Sequence, residues 1–240
     1  MPILQKDNIS IPYFLDLSNR KRRTITLGLR DGKLVIKAPS KIPWSLIEKF
    51  VWEQWGWILK QLQNQKQIVV EKKQFQTGES INLFDKIVKF EITSLKDISN
   101  PKVYMIDDTF QIIVPESFSQ IQKQTELRKL LKLWYIHHAD DLLKKKVEYF
   151  SSKLNVKCKK VRIKEVSTIW GSCSRNGDIT LNWRLLLAPE VIADYVVIHE
   201  VSHLIHHHHR KTFWDCVFSL DREYKAHIKW LKKNGNTLHI

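Results

Sequence analysis

The chain has 240 residues, 43% of them hydrophobic, with 40 Lys+Arg against 25 Asp+Glu for a formal net charge of +15. That apolar content excludes a wholly disordered chain, no stretch reaches the ~20 apolar residues of a membrane span, and three cysteines, Cys158, Cys173 and Cys216, do not make a disulfide framework. A reducing, cytoplasmic setting is expected, and the N-terminus MPILQKDNISIPYF, with no basic region leading into an apolar core, predicts no secretory signal.

Residues 24–29 (TITLGL) alternate, with Ile25, Leu27 and Leu29 on one face, and 34–38 (LVIKA) alternate again after Asp31-Gly32. Asp-Gly between two runs of period two predicts a β-hairpin. Trp44, Ile47, Val51, Trp55, Ile58 and Leu62 recur at helical spacing and predict one amphipathic helix over 44–66, with Trp52 and Trp57 widening its apolar stripe. Residues 75–115 read as further short strands, turning at Phe84-Asp85-Lys86 and Asp107-Asp108. A long helix follows, with Leu127, Leu131, Trp134, His138, Leu142 and Val147 on one side. Strands are predicted at 161–163 (VRI) and 179–185 (ITLNWRL), flanking a turn-rich 170–178 (WGSCSRNGD). Pro189 suits the first turn of the next helix, VIADYVVIHEVSHLI, and a last helix begins near Thr212 with Phe213, Val217, Leu220 and Tyr224 on one face. No internal repeat is visible in the sequence. Strands, helix, strands, helix, strands and two helices predict an α+β fold, divided into a strand-rich N-terminal half with one helix (1–117) and a second half (118–240).

The chemistry is concentrated in the second half. His199-Glu200-Val201-Ser202-His203 is an HExxH motif. Residues four apart share a helix face, so His199 and His203 can offer two imidazoles to one metal ion. Glu200, about 100° round the helix, can reach a water without binding the metal. Burying two histidines and a glutamate without a partner is costly, and a metal supplies the partner. Zn²⁺ suits the donors, and a carboxylate beside zinc-activated water implies amide-bond hydrolysis.

A third ligand is required. His209 stands six residues after His203, the spacing of HExxHxxGxxH proteases, although His206 occupies the glycine position. Glu223, twenty residues after His203, is an alternative, as are the neighbouring histidines. No methionine follows Met105, which excludes a Met-turn.

Other features point elsewhere. Residues 144–164 hold nine basic side chains and one acid, a surface suited either to solvation or to a polyanion such as nucleic acid. Cys173 beside the histidines offers a rival thiol nucleophile. Gly171 is a candidate for close backbone approach to the motif helix. The strand ITLNWRL is a candidate sheet edge for pairing with an extended peptide, with Asn182 and Arg184 as candidate substrate contacts. A basic nucleic-acid-binding protein with a structural zinc is the non-enzymatic alternative, and a protease recruited to nucleic acid combines the two.

The segment WGSCSRNGDITLNWRLLLAPEVIADYVVIHEVSHLIHHHHRKTFW (170–214) resembles the YgjP-like metallopeptidase-domain family, relatives of SprT-like zinc metalloproteases. The earlier SNRKRRTITL, VIKAP and FVWEQWGWI extend the resemblance over most of the chain. It implies a zincin-like catalytic half, Zn²⁺ held by His199, His203 and His209, Glu200 as general base, and a protein or peptide substrate.

Overall fold

The computed structural model describes residues 2–6, 9–18, 24–30, 33–67, 73–166 and 169–240, which form two compact units dividing between Glu71 and Lys72. The division falls earlier than residue 117 because the strands after residue 75 share one core with the following helices: Phe75, Val88, Phe90, Phe110 and Val114 cluster with Leu127, Leu131 and Tyr135.

In the first unit, β1 (Ile3–Lys6), β2 (Ile9–Ser18), β3 (Thr26–Arg30) and β4 (Lys33–Pro39) form a sheet ordered β1-β2-β4-β3. The outer pairs are antiparallel and the central pair, β2 with β4, is parallel. The predicted hairpin is present in β3 and β4, with Leu29 opposite Leu34, while its Asp31-Gly32 turn lies outside the described residues, as does most of the SNRKRR segment. Leu4, Ile11, Leu34, Ile36 and Ala38 pack against Ile47, Val51, Trp55 and Ile58 of the following helices. The single helix expected over 44–66 is two, α1 (Trp44–Glu53) and α2 (Trp55–Gln67), broken at Gln54. Gly56 weakens helical propensity at the break, where Trp52 and Trp55 meet edge to face at 5.0 Å.

The second unit opens with β5 (Ser80–Leu83), β6 (Lys86–Leu95), β7 (Lys102–Ile106) and β8 (Thr109–Pro115), ordered β5-β6-β8-β7. This is the first sheet again. Strand lengths of 4, 10, 5 and 7 residues recur in the same sequence. The parallel central pair recurs in register: Tyr13 opposite Leu34 and Leu15 opposite Ile36 in one sheet, Phe90 opposite Phe110 and Ile92 opposite Ile112 in the other. In each unit a helix follows a final Pro, Pro39 or Pro115. An internal repeat is therefore present where none was visible in the sequence. It is preserved as apolar positions and pairing register, not as residue identities.

Helix α3 (Gln120–Lys153) starts at a capping box between Ser119 and Gln122. Its buried side is Leu127, Leu131, Tyr135, Ala139, Leu143, Val147 and Ser151, not the predicted line through Trp134, His138 and Leu142. A stripe stepping by four residues drifts about 40° per step, so it winds from the β5–β8 sheet toward the later helices. Trp134 and His138 flank it, stacked on each other. The Tyr135 hydroxyl donates to Asn82 O at 2.6 Å, and burial pushes its pKa far up.

A second, three-stranded sheet is ordered β10-β11-β9, from β9 (Lys160–Lys164), β10 (Gly171–Cys173) and β11 (Asp178–Asn182). The expected turn at 170–178 is thus a short strand and a tight turn, and the strand expected through residue 185 ends at Asn182. There the Asn182 side chain accepts from Arg184 N–H and starts a 3-10 turn, Trp183–Leu187. Helices α4 (Glu190–Ser202), α5 (Lys211–Leu220) and α6 (Tyr224–Asn234) complete the unit, with the last predicted helix interrupted at Asp221. Among the described residues, strands and six α-helices make a mixed fold, and no described helix is long and apolar enough to cross a membrane.

Candidate metal centre

The motif helix α4 is apolar nearly all round, burying Ile192, Ala193, Tyr195–Ile198, Val201 and Ser202. A helix buried on all sides needs its ends held by neighbours. At its start the Asp85 carboxylate, from the β5–β6 turn, accepts the Glu190 N–H at 3.2 Å. That turn is docked in place by Phe84, whose backbone is left-handed (φ 52) and whose N–H donates to Leu186 O at 2.6 Å. Lys146 of α3 bridges Glu190 and Asp194 at 2.5 and 2.6 Å.

At the other end α4 stops at Ser202, and the chain turns through 203–206 before α5. This return brings one ring nitrogen from each of His199, His203 and His209 within 4.8 Å of one another, the group of this kind found among the described residues. Glu223 is not in it; it sits at the start of α6, its N–H donating to Asp221. His207 and His208 are exposed, and His206 contributes its carbonyl: the His203 ring nitrogen Nδ1 lies 2.9 Å from His206 O, which leaves Nε2 to face the cluster.

Beneath the three imidazoles lies Phe213, fully buried, with its ring centroid 4.9, 4.5 and 4.8 Å from those of His199, His203 and His209. Trp214 donates its indole N–H to His209 O at 3.1 Å and so pins the third imidazole. Neither role was read from the sequence, where Phe213 was a core position; the signal available was its place four residues after His209.

The donors fit a small divalent cation. His199 Nε2 and His209 Nε2 face each other at 3.1 Å, a distance that two neutral ring nitrogens tolerate only with a proton or cation between them. Tetrahedral zinc with bonds of about 2.0–2.1 Å separates its ligand nitrogens by roughly 3.3 Å. Burial, and then the neighbouring histidines, lower the His199 pKa to about 3, and burial likewise lowers that of His203, so lone pairs are available at neutral pH.

Glu200 is 5% exposed, and burial raises its carboxyl to about 8; a cation at the histidines acts in the opposite direction. The edge strand β10 presses on it. A Cβ on Gly171 would stand 2.7 Å from both Cγ and Oε1 of Glu200, so the close approach anticipated for this glycine is made against the glutamate itself. Cys173 is a poor nucleophile: burial first, then the Glu200 charge, push its thiol up to about 11.

Two expected substrate contacts are otherwise engaged. Asn182 is 2% exposed and donates its amide to Val166 O and Ile169 O, and the Arg184 guanidinium pairs with Glu165. Their strand, β11, lies in the middle of its sheet, hydrogen-bonded on both sides, so the free edge next to Glu200 belongs to β10.

A family model described as YgjP-like, metallopeptidase domain, matches residues 23–234. Among solved structures, the crystal structure of the metallopeptidase zymogen of Pyrococcus abyssi abylysin is similar at 24% identity and a TM-score of 0.35, over 38% of this chain and 94% of that one. Comparison with curated proteins finds no match.

Proposed function

Because the chain belongs to the YgjP-like metallopeptidase-domain family, we propose that it is a zinc-dependent peptidase of zincin-like architecture, with His199, His203 and His209 as ligands and Glu200 as general base. The observation that carries this reading is the convergence of three imidazoles beside a buried glutamate. Zn²⁺ supplies a Lewis acid that polarises a peptide carbonyl and acidifies water.

The protein's own residues do the rest. Glu200 Oε accepts a proton from the attacking water and returns it to the departing amine nitrogen. Gly171 keeps that carboxylate against β10. The backbone of β10 offers its free edge to an extended peptide, pairing through main-chain hydrogen bonds that ask little of the side chains. Phe213, Trp214 and the His206 carbonyl orient the imidazoles before the ion arrives. The three free cysteines suit a reducing, cytoplasmic setting.

Zinc content and cleavage of an unfolded protein substrate test the reading together. Glu200→Gln retains the metal and loses about 10²–10⁴-fold in rate; His209→Ala loses the metal, and Glu223→Ala keeps it. Wild-type cleavage by Glu200→Gln, or loss of zinc from Glu223→Ala with His209→Ala unaffected, overturns it.

A further inference from the structure

The proposed reaction asks for one more group. As water adds to a peptide carbonyl, the carbonyl oxygen gains charge, and a donor already aimed at that oxygen lowers the barrier. Glu200 handles the protons of the water and the amine, which leaves the oxygen without a side chain of this protein to stabilise it. Among the described residues, three aromatic side chains other than the histidines themselves have ring centroids within 6.0 Å of an imidazole: Tyr195, Phe213 and Trp214. Phe213 has no polar atom, and Trp214 spends its indole N–H on His209 O. Tyr195 alone has a donor to give. Its hydroxyl makes no hydrogen bond among the described residues, yet it is not one of the sealed polar atoms, so it opens to solvent. The rest of the side chain does not: Tyr195 is 7% exposed. A phenylalanine would pack that space as well, and a buried tyrosine ordinarily finds its hydroxyl a partner.

Tyr195 is also placed and held. It stands four residues before His199, one turn back on the same face of α4, and its ring meets the His199 ring edge to face at 6.0 Å and 67°. The ring of His227, on α6, lies 6.2 Å from that of Tyr195. His227 is itself clamped. Its Nδ1 is 2.8 Å from Asp221 Oδ2, with the two side chains 14% and 10% exposed, and the other Asp221 oxygen accepts the Glu223 N–H at 2.9 Å. Side chains locked by such neighbours hold a donor in position before a substrate arrives.

We infer that Tyr195 is a catalytic residue whose hydroxyl donates a hydrogen bond to the oxygen of the scissile carbonyl as that oxygen gains charge. The phenol keeps its proton throughout. Water oxygen bonds to the carbonyl carbon, its proton passes through Glu200 to the amine nitrogen, and the C–N bond breaks, so Tyr195 leaves the cycle as it entered. The inference rests on the peptidase reading and adds to it the group that serves the oxygen.

Tyr195→Phe removes the hydroxyl and keeps the ring, so zinc content and melting temperature stay those of the wild type. With a quenched fluorescent peptide, kcat falls about 10²–10³-fold, the loss that follows removal of one such donor. KM changes by less than about threefold, because the bond is made only in the transition state. Calorimetry supplies a readout that needs no turnover. A phosphinic peptide, tetrahedral and anionic at the reacting position, binds zinc-loaded Tyr195→Phe at least about tenfold more weakly than wild type. The matching amide peptide, titrated into both proteins with Glu200→Gln added, binds them alike. Wild-type kcat in Tyr195→Phe overturns the inference and leaves the peptidase reading standing. Absence of cleavage by the wild type overturns the peptidase reading, and calorimetry then decides the donor: equal phosphinic affinity in the two proteins, or none in either, overturns it. Equal loss of the phosphinic and amide peptides assigns the hydroxyl to ground-state binding and overturns it too, as does loss of zinc from Tyr195→Phe. A loss found in His227→Gln and not in Tyr195→Phe passes the role to His227 and overturns it likewise.

Discussion

Substituting Gly171 by alanine isolates the contact between β10 and Glu200. The glycine is not in the left-handed region, so alanine meets no backbone penalty and the added methyl acts by volume alone. Its position, 2.7 Å from Cγ and Oε1 of Glu200, is about 0.8 Å inside the 3.5 Å at which carbon atoms attract. Either the strand or the glutamate has to retreat by about that distance. Overpacking of this kind costs about 1–3 kcal/mol of stability, and a catalytic group displaced by about 1 Å loses roughly 10²-fold in rate, or about 2.7 kcal/mol of barrier. Gly171→Ala should therefore cleave an unfolded substrate about a hundredfold more slowly in kcat/KM, melt a few degrees lower and bind zinc in full, because the three atoms nearest the methyl all belong to Glu200. Activity within threefold of wild type, with an unchanged melting temperature, refutes the reasoning; loss of zinc shows that the damage passes through the ligands instead.

Asp85→Ala removes the carboxylate that caps Glu190 N–H at the start of the motif helix, and thermal or urea unfolding should report a loss of about 1 kcal/mol. Glu165 gives a pH test. The hydrogen bond from Lys132, and behind it Arg184, hold its carboxyl below the ordinary range against the opposing effect of burial. A depressed acid stabilises the fold above its unfolded pKa of about 4.3, and that stabilisation disappears as pH falls through the lower folded value. The melting temperatures of wild type and Glu165→Gln should thus differ at pH 7 and converge only as pH falls below the depressed folded value; a constant gap removes the ion pairs as the cause.

The proposed metal ligands His199 and His203 were legible because their spacing is a local property: HExxH on a helix fixes two directions without knowledge of the rest of the chain. The candidate for a third ligand depended on a turn that spacing alone left open among His209, Glu223 and the neighbouring histidines, and the path of residues 203–209 brings His209 to the other two. Strand positions over 75–115 were legible from alternation, but sheet order was not, since period two says which face a residue takes and nothing of which neighbour it pairs with. That is why β11 looked like an edge and lies in the centre, and why Asn182, a polar residue in a strand, looked available and is spent on backbone carbonyls. The buried line of α3 was misread because Trp134 and Leu142 are larger than Ala139, whose small side chain marks close approach of a neighbouring element and not an exposed face.

Two sheets of one design in a single chain tell how little the design requires. The first gathers Leu4, Ile11, Leu34 and Ile36 with Ile47, Val51 and Ile58 in one cluster. The second has the same plan but extends its closing helix to 34 residues, and the added turns carry Leu143 and Val147 into the shared core and Lys146 to the first turn of α4. The same strand plan thus serves one unit with two short helices and, in the other, seats a 34-residue helix that reaches α4.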